Sequence, residues 1–278
     1  MFSNLSDLKK AGLFYVLVMG LNVTQILIFR AAAPKAEIVV LTHMITPLLI
    51  TILMLFVFTR DGVGQHGRFG LGLRRSGWRT WGLALLLPLL VLAVSYGLGW
   101  LSGAAALVVP TDGGGLPNLL INLIPGLLIT TFFALWEEIG FRGYLLPKLL
   151  DLGPKRAVIL SGFAHAFWHL PIMLLTPFYG AEGNHLLTIP IFLLLLTAAG
   201  VVYGVLRLET DSIWPSTILH GSFNVFLELF TTLTVMSSSV AIYLVGETGV
   251  LTLLATAVVA LWFLQRRKTA VKPVLVLD

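Results

Sequence analysis

Pro117-Asn-Leu-Leu-Ile-Asn-Leu-Ile-Pro125-Gly-Leu-Leu-Ile-Thr-Thr-Phe-Phe-Ala-Leu-Trp136-Glu137-Glu138-Ile-Gly-Phe-Arg142 decides the fold. Residues 117–136 are apolar enough, and long enough as a helix, to cross a hydrocarbon core of about 30 Å. The run then passes without a break into two carboxylates and a guanidinium. On insertion scales each ionised side chain at such a depth costs roughly 2.5–3.5 kcal/mol, so these groups are expected to face a protein-lined, wet cavity. The stretch therefore predicts a membrane helix with a polar site at its end.

Working outward, the composition agrees. Hydrophobic residues make up 57% of the chain, the mean hydropathy is +0.94, and charged residues are 11%, against about 25% in globular proteins. This is the composition of an integral membrane protein and excludes a soluble globular one. Eight segments read as spans: 11–29, 38–59, 81–101, 117–136, 157–176, 186–206, 213–235 and 249–264. The expected fold class is all-α, a polytopic membrane protein of about eight transmembrane helices. No polar segment is large enough for a separate soluble unit, so residues 1–278 are read as one membrane domain. Pro47, Pro88, Pro125, Pro171, Pro190 and Pro215 fall in the spans and are read as kinks, which membrane helices tolerate. The Gly-rich run Asp112 to Gly115 reads as an external turn, and there is no convincing internal repeat. Without cysteine, the chain has no disulfide, thiolate ligand or cysteine nucleophile.

The basic residues set the orientation. With the N-terminus inside, every lysine and arginine except Arg30 and Lys35 falls in a cytoplasmic segment, so both termini are expected in the cytoplasm. Topology and contact with anionic lipid account for the basic loop 60–79, and no nucleic-acid partner is expected. Lys9, Lys10, an apolar run and Ala31-Ala32-Ala33 imitate a cleavable signal peptide. At about 19 residues the run exceeds the usual h-region of about 7–15, which favours an uncleaved first span.

Further polar residues recur at helical spacing. Glu138 and Arg142, four apart, share a helical face and suit an ion pair. Glu137 is rotated about 100° away and is left without that arginine, free to act as a base on water if its apolar surroundings shift its affinity for protons. The alternative is a plain charge cluster at the helix end. In the fifth span His165 and His169 also line one face, and Pro171 should distort the helix beside His169. His169 is a candidate functional residue; His165 reads equally as a hydrogen-bonding member of the bundle. In the seventh span His220, Asn224 and Glu228 recur every four residues. His220 and Asn224 could donate to a developing oxyanion, or could serve only as interhelical hydrogen bonds. Glu228 reads as a structural or cavity-lining residue, or as a further functional one.

These residues resemble the CAAX-processing and bacteriocin-processing intramembrane peptidases, the CPBP or Abi family. Its three motifs appear in order as Glu137-Glu138…Arg142, His169, and His220…Asn224, across a core of about residues 117–232. The second motif departs from the pattern, because His165 stands where an aromatic residue is usual. The string Trp168-His169-Leu170-Pro171 is typical of bacterial members, which implies a bacterial cytoplasmic membrane. The resemblance implies hydrolysis of a peptide bond in a membrane-associated, C-terminal or lipidated substrate, inside a cavity open to the cytoplasm. It further implies that Glu137 with His169 activates water, that His220 with Asn224 stabilises the oxyanion, and that Glu138 and Arg142 support the site. The family is often labelled metallopeptidase, and Glu137, His169 and His220 would suit a zinc ion with an open position. A metal-free glutamate mechanism is equally allowed, and no cofactor is assigned. Two rival functions fit the same residues: a transporter using the polar groups as a relay, and a non-catalytic peptide-binding or immunity protein. The first lacks the duplicated halves common in transporters.

Overall fold

The computed structural model describes residues 2–32, 36–62, 70–111, 115–177 and 183–266. In chain order the helices are α1 (Asp7–Ala32), α2 (Ala36–Leu53), α3 (Trp81–Leu101), α4 (Gly115–Glu138), α5 (Leu146–Lys148), α6 (Pro154–Trp168), α7 (Leu170–Leu175), α8 (His185–Thr210), α9 (Trp214–Thr232) and α10 (Val250–Arg266). Two strands, β1 (Ala105–Leu107) and β2 (Thr234–Met236), pair antiparallel with Ala105 opposite Met236. The described residues are thus all-α apart from this ribbon. Three residues per strand are too few for a period-two pattern to show in sequence.

All eight expected segments fall on helices, the seventh running on into β2, but among the described residues six helices are long and apolar enough to cross a membrane. These are Asp7–Ala31, Glu37–Phe58, Trp78–Leu101, Gly115–Lys148, Pro154–Leu175 and His185–Thr210. The other two fall short for different reasons. α10 has 17 residues, and α9 interrupts its apolar surface with Ser216, Thr217, His220, Ser222, Asn224 and Glu228. The large side chains of α4 face outward: Leu120, Ile121, Ile124, Leu128, Ile129 and Phe132 are all exposed, as suits contact with lipid.

The prolines divide into two groups. Pro47, Pro88, Pro125 and Pro190 lie inside helices, as expected. Pro215 instead sits in the first turn of α9, where a missing N–H costs nothing, so it marks a start and not a kink. In the fifth span α6 passes into α7 at His169 with helical backbone, so Pro154–Leu175 remains one span-length helix, irregular beside Pro171. Of the expected Asp112–Gly115 turn, residues 112–114 lie outside the described residues, as do Ala33, Lys35, Arg68, Arg267, Lys268 and Lys272 from the leader and orientation readings.

Contacts define the two ends of the bundle. At one end Lys148 meets Asp7 and Asp61, Lys10 meets Asp61, Arg75 meets Asp211, and Arg266 meets Glu209. At this basic end burial pushes the Asp61 carboxyl up, but hydrogen bonds from Lys10 and Thr59 and the charge of Lys148 outweigh it. The net result holds Asp61 below the usual carboxylate range. At the other end Arg30 donates to the Leu175 carbonyl at 2.6 Å and the β ribbon closes over α3 and α9. α1 begins and α10 finishes at this same basic end.

Candidate active site

The site forms where α4 stops being an ordinary α-helix. From Ile139 to Leu145 the backbone widens into a π-helical turn, and every residue from Gly140 to Lys148 is buried. Such turns often occur at functional positions. The close approach is built into the sequence. A Cβ on Gly140 would sit 2.5 Å from the Pro47 side chain, and one on Gly200 would sit 2.5 Å from the Gly162 backbone and 2.7 Å from Arg142 Nη2. α6 and α8 therefore cross backbone to backbone at Gly162 and Gly200, which brings His165 against Arg142.

Arg142 is buried and joins the group. Its Nη1 lies 3.0 Å from Glu138 Oε1, the expected pair, and 2.8 Å from His165 Nδ1. Guanidinium nitrogens only donate, so Nδ1 of His165 must accept, and the neutral ring carries its proton on Nε2. That N–H points at Glu137 Oε2, 2.8 Å away, and donates to it. Glu137, as expected, takes no hydrogen bond from Arg142; it accepts one from His165. His165 is a buried bridge between Arg142 and Glu137, stacked on Phe141 at 4.6 Å.

The same reasoning fixes His220. Its Nδ1 lies 3.1 Å from Glu138 Oε1, an acceptor when ionised, so Nδ1 donates and the neutral ring has its lone pair on Nε2, 3.9 Å from Glu137 Oε2. Tyr203 stacks on His220 at 5.3 Å and lies under the Arg142 guanidinium at 4.9 Å. His169, where α6 passes into α7, donates from Nδ1 to the His165 carbonyl at 3.2 Å.

A cavity of about 640 Å³ reaches this cluster. Glu137, His169, His220, Asn224 and Glu228 all line it, whereas Glu138, Arg142 and His165 do not. The expected functional and supporting residues thus fall into two layers, one facing the cavity and one behind it. Glu228 stands at an exposed position and Asn224 at a half-buried one.

Sequence reasoning passed over His43, which also lines the cavity. It stacks on Trp168 at 3.7 Å and donates from Nδ1 to Asn22 Oδ1 at 2.7 Å, while Asn22 Nδ2 holds the Trp168 carbonyl at 2.8 Å. The criterion that found the other residues, a polar side chain inside an apolar run, applies equally to Asn22, Gln25 and His43.

Among the described residues, ligand atoms of Glu137, His165 and His169 lie within 4.8 Å of one another, and His220 falls outside that group. The zinc set suggested by sequence is therefore not the one that clusters. His165, in turn, presents an N–H and not a lone pair to the group, because Arg142 occupies Nδ1. The residues as arranged do not fit a three-ligand metal site.

The class these features define is an integral membrane protein with a buried Glu–His site at the foot of a cavity. Residues 118–226, well under half of the chain, match the family described as type II CAAX prenyl endopeptidase Rce1-like. An Rce1-like domain is thus detected over the part running from α4 into α9, which contains every residue of the three motifs. No curated protein matches the chain.

Proposed function

We propose that this protein is an intramembrane endopeptidase that hydrolyses a peptide bond of a membrane-associated protein or peptide with a glutamate-activated water. The observation that carries the reading is the two-layer site: Glu137 faces the cavity beside His169 and His220, and Glu138, Arg142 and His165 hold it from behind. The Rce1-like match over the same residues supports it.

In this reading water enters between Glu137 and His169. Its oxygen bonds to the scissile carbonyl carbon while Glu137 takes the proton, and the resulting negative charge falls on the former carbonyl oxygen. Asn224 donates to that oxygen from its amide. His220 donates there only when its ring carries a second proton, since its Nδ1–H is directed to Glu138. Collapse breaks the C–N bond, and the proton held by Glu137 passes to the leaving amine. His165, donating to Glu137 throughout, keeps the carboxylate aimed. The whole chain works as one membrane unit in the bacterial cytoplasmic membrane, its catalytic core spanning about 117–232.

The test is comparative proteomics of membrane-protein termini in cells making the wild type or Glu137→Gln at equal levels. New peptide ends present only with the wild type are expected. Identical sets of ends would remove the peptidase reading and return the site to transport or passive peptide binding.

A further inference from the structure

We infer that the first two helices, which lie outside the matched residues 118–226, supply positioning residues for the active site: Asn22 of α1 and His43 of α2 clamp Trp168 and thereby hold His169 beside Glu137. The reaction they serve rests on the endopeptidase reading; the clamp on His169 does not.

The need for a clamp comes from the backbone. Pro171 has no N–H to give the Phe167 carbonyl, and beside it the hydrogen-bond ladder is irregular: the His169 N–H turns to the Ala166 carbonyl, three residues back, at 3.1 Å. The Trp168 carbonyl accepts from outside the helix, from Asn22 Nδ2 at 2.8 Å. The Trp168 side chain is gripped as well. Its Nε1–H donates to Thr46 Oγ1 of α2 at 3.2 Å, and its ring lies nearly parallel to His43, with centroids 3.7 Å apart and an angle of 10°. Trp168 in turn meets His169 edge to face at 4.6 Å, and His43 meets His169 at 5.2 Å.

Asn22 ties these contacts together. Its Nδ2 must face a carbonyl, which leaves Oδ1 to accept from His43 Nδ1 at 2.7 Å and from Gln25 Nε2 at 3.2 Å. Packing alone does not call for an imidazole at position 43. A phenyl ring would stack on Trp168 and leave no polar atom unpaired, whereas Nε2 of His43 is buried without a hydrogen-bond partner among the described residues. What histidine adds is the Nδ1–H that fixes Asn22, and through Asn22 the carbonyl next to His169. Both side chains are buried, and His43 also lines the cavity. The network thus joins α1 and α2 to the stretch of the fifth span where the helix is irregular. That is where the reaction depends on fixed geometry, because a small misplacement of a reacting group can cost about 10²-fold in rate.

The test follows the His169 ring directly. The full chain, with heavy nitrogen in its histidine rings, is placed in phosphatidylethanolamine–phosphatidylglycerol bilayers, and nitrogen magnetic-resonance spectra are recorded for the wild type, Asn22→Leu and His43→Phe. His169→Gln assigns the His169 signals. Ser95→Ala, which removes a buried 2.6 Å bond to Thr252 between α3 and α10, is the control for a merely structural loss. The wild type is expected to carry the His169 proton on Nδ1, as its bond to the His165 carbonyl requires. Asn22→Leu should shift or split the His169 signals, and Ser95→Ala should leave them in place. His43→Phe keeps a flat ring on Trp168 but loses the donor, so it should disturb them less, and it decides the matter if the Asn22 variant does not fold. Unchanged His169 signals in either folded variant overturn the role of that residue. On peptide ends that depend on Glu137, Asn22→Leu should lower kcat by about 10²-fold at unchanged KM; undiminished turnover per folded molecule would equally overturn the inference. If no Glu137-dependent ends exist, the peptidase reading fails, and the spectra alone decide the clamp.

Discussion

At the basic end of the bundle every residue from Gly140 to Lys148 is buried, and carboxylates, guanidinium and imidazoles are joined by directed hydrogen bonds. At the other end the same helices diverge around a cavity whose polar residues, Asn224 and Glu228, sit on the wall in half-buried and exposed positions. The difference explains how adjacent glutamates acquire different roles. Glu138 points into the buried layer, where Arg142 and His220 occupy one of its oxygens, and Glu137 points toward the cavity with His165 behind it. One end supplies rigidity, and the other supplies the cavity.

The comparison is broken most severely by emptying the buried layer. Arg142→Ala leaves Glu138 as a buried charge without its cation and should cost about 3–5 kcal/mol of stability. Thermal melts in detergent matching the wild type would show that the cluster does not anchor the bundle. On the cavity wall the effect should appear in rate instead. Asn224→Ala is expected to lower kcat by about 10²–10³ with little change in substrate affinity or melting temperature. A normal kcat would remove Asn224 from the mechanism. A smaller change tests the crossing behind the site: Gly200→Ala places a Cβ within 2.5 Å of Gly162 and should cost about 1–3 kcal/mol. An unshifted melt would mean that α6 and α8 can separate without penalty.

The smallest effect concerns Asp61, outside the spans at the basic end. Its folded-state carboxyl is held below its unfolded value, so its contribution is present above the unfolded value and is lost as pH falls through the folded one. Stability should therefore decline modestly toward acid pH, and Asp61→Asn should flatten that slope. An unchanged slope in pH-dependent melts would show that the Lys10 and Lys148 contacts are screened by solvent.

Much of this contrast was legible in the sequence, and the illegible part has physical causes. Four-residue spacing paired Glu138 with Arg142 and separated Glu137, because the widening of the helix at Ile139 leaves residues four apart on nearby faces. His165 could not be assigned, because its role depends on which nitrogen meets Arg142, and that is set by a crossing of α6 and α8 through two glycines distant in sequence. Pro215 reads as a kink, but a kink and a new helix start carry the same local signal. α9 is helical where expected, yet the polar residues that make it part of the site also remove it from the helices apolar enough to be recognised as spans. His43 was visible by the intramembrane-polar criterion; its relevance appears only when Trp168, three spans later, packs against it.

The most direct measurement of the central claim compares Glu137→Gln with Glu138→Gln, each purified and assayed for turnover per folded molecule and for melting temperature. The two-layer site predicts that Glu137→Gln melts close to the wild type and has no detectable turnover, while Glu138→Gln melts lower and loses activity as the site loosens. Equal loss of stability in both variants, or turnover surviving in Glu137→Gln, would contradict the division of the pair into a reacting carboxylate and an anchoring one.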